Sequence, residues 1–212
     1  GPAPLRPFNY NRFHYNWHWN WDYGSGDNGN QGPHQWDIAR WGMNKNEHPV
    51  KIVSGGGYFN TPSAQETPDT QTSQVEYPDG SIIEFSVRGQ YTNDESGVGI
   101  GNLFYGKEGW LKLDGSRWQS YFGKKNEPGP GSDSKDEEFV DPMNLAGPVS
   151  GGHFANFIYA LRANDAKTLT CPIEEGYMSS ALPLLTNIAH RLGRTLTFDG
   201  SKEKFTADNQ AN

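Results

Sequence analysis

His34 and Asp37 stand three residues apart in the run Gly32-Pro33-His34-Gln35-Trp36-Asp37. On a helix that spacing puts two side chains on one face. A histidine beside a carboxylate can be held in one tautomer and act as a general base near neutral pH. His34 and Asp37 are therefore the candidate catalytic pair. The same spacing fits a plainer arrangement, in which Asp37 pairs with Arg40 and His34 is a buried, satisfied imidazole. A second group lies upstream: His14, His18, Asp22 and Asp27. Two histidines four apart suit a metal on a helix, and Asp27 or His34 would complete the ligand set for zinc or a similar divalent ion. That reading leads to a stand-alone metal-dependent hydrolase. Tyr15-Asn16-Trp17 is a poor helix former, so the alternative is that these side chains hydrogen-bond a ligand or the loop backbone. His153 opens a helix and could reach a site at that end, or lie on the surface.

These groups share an unusual setting. The stretch from Phe13 to Trp41 holds five of the seven tryptophans and three of the six histidines. Aromatic faces can cover the C–H faces of a sugar, while amides, carboxylates and imidazoles take its hydroxyls. His14, His18, Trp19, Trp21, Asp27, Asn30 and His153 are thus candidate contacts to a carbohydrate or polyol. The other interpretation is an aromatic mini-core under a loop.

The elements that must position them follow from the pattern. Residues 1–30 read as an aromatic loop segment punctuated by Gly24, Gly26 and Gly29. A helix is expected over 31–41, with Pro33 in its first turn and Gly42 just past its end. His34, Asp37, Ile38 and Trp41 then share one face, expected to point inward or into a cleft. From about Val50 to Phe122 the signal is strands: Val50–Val53, Thr70–Tyr77 closed by Pro78-Asp79-Gly80, the alternating Ile83, Phe85 and Val87, then Leu103–Tyr105, Trp110–Leu113 and Trp118–Phe122. Short turns between them imply an antiparallel meander. Residues 123–152 read as a long loop. Two helices close the chain, one striped with Phe154, Phe157, Ile158 and Leu161, the other running from Pro172 to Leu192 with a kink at Pro183. The fold class is α+β: an open, mostly antiparallel sheet with helices packed on one face and the aromatic loop at one end. Residues 1–212 read as a single domain.

Composition narrows the function. The chain has 212 residues, 33% hydrophobic and 13% aromatic, with 26 glycines, 14 prolines and a net charge of −7. Without a basic cluster a nucleic-acid partner is not expected. No apolar run approaches the roughly 20 residues of a membrane span, and no signal peptide is visible. The one cysteine, Cys171, builds no disulfide framework, which leaves the compartment open. Ser54-Gly55-Gly56-Gly57 follows a strand but matches neither dinucleotide nor mononucleotide glycine patterns, and there is no Gly-x-Ser-x-Gly elbow.

The run Gly29-Asn30-Gln31-Gly32-Pro33-His34-Gln35-Trp36-Asp37-Ile38-Ala39-Arg40-Trp41 resembles the start of the C-terminal domain of the Gfo/Idh/MocA oxidoreductases, whose pattern is D-x-G-x-H-x-x-D on a helix. The likeness continues through Ile82–Gly89, Asn102–Gly106, His153–Ile158, Ile173–Gly176 and Ala189–Arg194. It implies an enzyme whose N-terminal Rossmann domain holds NAD(P). The α+β domain would bind a sugar-like substrate and dimerise through its sheet. By that resemblance His34 is the base on the hydroxyl being oxidised. Asn30 stands where the family has an acid; it can bind a hydroxyl but cannot carry charge. The Rossmann half and its catalytic lysine have no counterpart in this sequence. The expectation is therefore the substrate-binding and dimerisation domain of a sugar or polyol oxidoreductase, a truncated or split enzyme that binds no cofactor alone and works with a separate Rossmann-domain partner. A non-catalytic assembly domain is the third interpretation.

Overall fold

The computed structural model describes residues 2–60, 63–90, 94–115, 117–132 and 152–212. These divide into two compact units, Gly1–Gly97 with Met178–Asn212, and Val98–Tyr177.

The first unit is built on a five-stranded sheet. Its strands are β1 (Lys51–Gly57), β2 (Thr70–Glu76), β3 (Ile82–Arg88), β8 (Leu196–Asp199) and β9 (Lys204–Phe205), in the order β3-β2-β1-β8-β9. All the pairings are antiparallel. Register follows the alternation of the sequence. Val75 faces both Ile52 and Ile83, so three aliphatic side chains meet on one face. Ile83 and Phe85 are buried while Glu84 and Ser86 between them are exposed. Helices α2 (Gly32–Gly42) and α4 (Ile173–Leu192) supply Trp36, Ala39, Leu182, Leu185 and Ala189 to the same core. Helix α4 continues through Pro183.

The second unit holds a meander of β4 (Gly101–Tyr105), β5 (Gly109–Asp114), β6 (Arg117–Phe122) and β7 (Glu127–Gly131), with helix α3 (Gly152–Ala163). No residue of β4, β5 or β6 is buried. Trp110 and Tyr121 stack across the sheet with centroids 4.5 Å apart.

The structure amends the sequence reading in four places. The single meander resolves into two sheets. The chain does not end on a helix: β8 returns beside β1, pairing Leu196 with Ile52. The aromatic segment 1–30 is not all loop: Tyr10–Arg12 and His14–Trp19 form 3₁₀ turns, and Gly26–Asn30 forms a short helix, α1. A 3₁₀ turn needs only local bonds, so residues that disfavour a long α-helix can still adopt it. Within 123–152, β7 is a strand despite Pro128 and Pro130. It lies at the sheet edge, where proline's missing N–H costs no ladder bond. The rest of that predicted loop, 133–151, lies outside the described residues.

Candidate functional site

Helix α2 was expected to turn His34, Asp37, Ile38 and Trp41 inward. The opposite stripe is buried instead: Gly32, Trp36, Ala39 and Arg40. Both stripes have helical spacing, so sequence period alone does not choose between them. Tertiary partners do. Trp36 stacks on Phe85 at 5.3 Å and donates its indole N–H to Asn28 Oδ1 at 3.1 Å. Arg40 is buried and donates to Ser179 Oγ at 2.7 Å. His34 is exposed, and Trp41 is 59% exposed.

Asp37 is half-exposed and accepts a hydrogen bond from Ser179 Oγ, with Arg40 Nη1 at 3.9 Å. Its partners are thus Ser179 and Arg40, as in the plainer arrangement, but His34 is exposed rather than the buried imidazole of that arrangement. Asn30 closes α1 four residues before His34, and its Nδ2 donates to the Tyr15 hydroxyl at 2.6 Å. Tyr15 itself is exposed. Asn30, Tyr15 and His34 are consequently accessible polar groups on or next to α1 and the start of α2.

The metal expectation is corrected. Among the described residues no group of three His, Cys, Asp or Glu side chains is placed to hold an ion. The reason is local geometry. His14 and His18 lie on a 3₁₀ turn, where four-residue spacing no longer aligns two side chains. His14 is exposed against Phe13, whereas His18 is 1% exposed and wedged between Tyr15 and Trp19. The His18 Nδ1–H donates to the Tyr15 carbonyl, since a carbonyl can only accept. Among the described residues, the ligand set expected for a metal-dependent hydrolase is therefore not assembled.

Asp27 is half-buried near His18. Burial pushes its carboxyl above the ordinary 3.8, and the charge of His18 pulls it partly back. Trp19 and Trp21 are half-buried and tied to one segment. The Trp19 carbonyl accepts from Glu66 N and Thr67 N, and Glu66 Oε2 accepts from Trp21 N at 2.9 Å. The Arg191 guanidinium lies over the Trp21 ring at 5.2 Å. Arg6 pairs with both Asp22 and Glu66, and its hydrogen bond holds the Glu66 carboxyl below its ordinary value. His153 is exposed in the second unit, against Phe154. Sequence reasoning missed Asn28, Ser179, Tyr15 and Glu66 as supports of the site. Asn28 and Tyr15 lie in the stretch already singled out, but their partners 8 to 159 residues away leave no local signal.

The run Ser54-Gly55-Gly56-Gly57 is part of a strand. It lies within β1, with each residue in register with β2. A Cβ on Gly56 would stand 2.3 Å from the Thr70 carbonyl, which makes close strand approach the reason for glycine there.

Residues 5–112, just over half of the 212, match the family described as the GFO/IDH/MocA C-terminal domain. The chain belongs to this family. The further likeness read over 153–194 lies beyond the matched residues. No curated protein matches the sequence.

Among solved structures this GFO/IDH/MocA C-terminal domain is similar to an aldose-aldose oxidoreductase from Caulobacter crescentus complexed with glycerol. The TM-score is 0.55 at 15% identity, over 86% of this chain and 50% of that one. It is also similar to an oxidoreductase from Agrobacterium radiobacter in complex with NAD+, L-tartaric acid and magnesium, with TM-score 0.51 at 16% identity over 78% and 47% of the two chains. A UDP-N-acetylglucosamine 3-dehydrogenase from Acidithiobacillus ferrooxidans matches with TM-score 0.51 at 13% identity over 76% and 45%. At these identities the likeness is one of fold. The chain spans about half the length of the structures it matches. Among the described residues no helix is long and apolar enough to cross a membrane.

Proposed function

We propose that this domain binds a carbohydrate or polyol at Asn30, Tyr15 and His34, and serves an NAD(P)-dependent oxidoreductase. In this reading His34 takes the proton of the hydroxyl being oxidised. Asn30 and the Tyr15 hydroxyl hold neighbouring hydroxyls, and Asp37, fixed by Ser179, steadies the helix face that carries His34. One observation carries the reading. The His34 ring is exposed on a helix whose other face is locked into the core through Trp36, Ala39 and Arg40. A base on a rigid element with its ring free to meet a substrate is what proton transfer requires. Family membership supports the same assignment.

In this reading the run Ser54–Gly57, part of a strand paired with β2, is given no role toward the nucleotide. The pyridine nucleotide is assigned to a separate nucleotide-binding domain. We further propose homodimerisation through the β4–β7 sheet. Leu103, Tyr105, Trp110 and Tyr121 share one face of that sheet, and the ring stack Tyr105–Trp110–Tyr121 on it favours a covering partner.

The test is sugar- and polyol-dependent reduction of NAD(P)+ by the complete enzyme, nucleotide-binding domain included, comparing wild type with His34→Ala. Loss of general-base catalysis should lower kcat roughly 100-fold or more. The exposed position predicts a stability change within about 0.5 kcal/mol. Unchanged turnover in the variant would sink the assignment of His34, and a monomeric mass by light scattering would sink the dimer.

A further inference from the structure

The carboxamide of Asn28 lies at the meeting point of α1, α2 and α4, and is 1% exposed. Its orientation is determined at both ends. The Trp36 indole N–H can only donate, so the atom it meets at 3.1 Å must be Asn28 Oδ1. Asn28 Nδ2 then faces α4, where it donates to Thr186 Oγ1 at 2.8 Å and Asn187 Oδ1 at 2.9 Å, with the Pro183 carbonyl at 3.2 Å. The same Asn187 Oδ1 accepts from Gln71 Nε2 of β2 at 3.0 Å. Asn187 Nδ2 donates to the carbonyl of Ser25, the residue before α1, at 2.9 Å. A carbonyl can only accept, so this end of the chain of amides fixes the same orientation as the indole end. Neither Asn28 nor Asn187 can flip without setting a buried donor against a donor, and a flipped Gln71 would set its Oε1 against Asn187 Oδ1.

Helix α1 has only five residues, too few to be stable alone. Asn28 is its one buried side chain other than glycine. A Cβ on Gly32 would stand 3.3 Å from both Asn28 Oδ1 and Trp36 Cδ1, so the network also touches the junction of α1 and α2. Asn30 lies two residues after Asn28, and His34 lies two residues before Trp36. Apolar contacts could hold these helices together without specifying one register. Directed amide bonds can specify it, because each alternative orientation strands a buried polar group.

We infer that Asn28 is a positioning residue: it sets the placement of Asn30 relative to His34, and so the spacing at which two substrate hydroxyls are held. This rests on the proposed sugar-binding role of those two side chains. Asn28 itself does not touch the substrate.

The experiment is NMR on the whole chain, wild type and Asn28→Ala, first free and then titrated with D-glucose. The expected result is a folded variant in which the His34 ring and Asn30 side-chain amide signals shift and broaden, while Val75 and Phe198 in the core keep theirs. Shifts induced by D-glucose in the wild type should require at least tenfold more sugar in the variant. Unchanged His34 and Asn30 signals would overturn the inference. So would changes spread equally over Val75 and Phe198, which would make Asn28 a packing residue only. If Asn28→Ala does not fold, Trp36→Phe, which deletes the indole donor while keeping an aromatic ring against Phe85, is judged by the same signals. If D-glucose moves nothing in the wild type, the sugar-binding reading loses support, and the signals of the free protein still decide the positioning claim.

Discussion

Asn30 donates to the hydroxyl of Tyr15 at 2.6 Å, joining the 3₁₀ turn His14–Trp19 to the end of α1. A neutral amide held by a phenol presents hydrogen-bond capacity without charge. Tyr15→Phe removes the acceptor while keeping the ring. The pair is exposed, so the expected stability loss is below about 1.5 kcal/mol, the upper range for one ordinary hydrogen bond. Urea denaturation checks this; a larger loss would show that the pair is a structural clamp rather than an adaptable surface contact.

Burial makes the charged form of Asp27 unfavourable, with His18 offsetting part of that cost. Its folded pKa lies above its unfolded one, so the folded state binds the proton more tightly. The associated stability is present below the ordinary value of 3.8 and is lost as pH rises through the raised value. Asp27→Asn should therefore stabilise the chain at pH 7, with the gain shrinking as pH falls through the raised value and gone at pH about 3. Paired urea titrations at the two pH values test the sign. A gain that grows on acidification would refute it.

Glu66 behaves oppositely. Its hydrogen bond from Arg6 lowers its pKa, so the stabilisation is present above the ordinary 4.5 and fades as pH falls through the lowered value. Glu66→Gln should destabilise the chain slightly at pH 7 and be indistinguishable from wild type at acidic pH. The group is largely exposed, so the effect is small and should weaken with added salt. A difference that persists at low pH would mean that the contacts of Glu66 with Trp21 and Arg6 do not depend on charge.

Trp36 is 1% exposed, stacked on Phe85 and bonded to Asn28. Trp36→Ala should cost about 3–5 kcal/mol, the range for removing a large aromatic from a core. Thermal unfolding provides the measurement. A variant that retains its wild-type midpoint would contradict the assignment of the inward face of α2.

Gly26 has φ of +67°, and a Cβ there would stand 2.8 Å from Thr67 Cβ. Gly26→Ala combines left-handed backbone strain with a clash, so a loss of at least about 1 kcal/mol is expected. A neutral substitution, read from chemical denaturation, would show that α1 can shift its entry without penalty.

Alternation in Ile82–Arg88 and the turn Pro78-Asp79-Gly80 determined the β2–β3 hairpin, because strand period and turn chemistry are local properties. Helices α2 and α4 were readable for the same reason, through Pro33 near one start and Gly193 after the other end. The strand β7 was hidden by its two prolines, and β8 by its shortness. What only tertiary structure decided is which stripe of α2 faces inward. His34 with Trp41 and Trp36 with Ala39 both have helical spacing. Phe85, Asn28 and Ser179 made the choice, and two of those three contacts link residues at least 49 positions apart in the chain. The metal expectation failed likewise, because four-residue spacing gathers ligands only on an α-helix and His14–Trp19 is a 3₁₀ turn. Local composition therefore determined which side chains could do chemistry, and long-range packing determined which of them are buried and which are exposed.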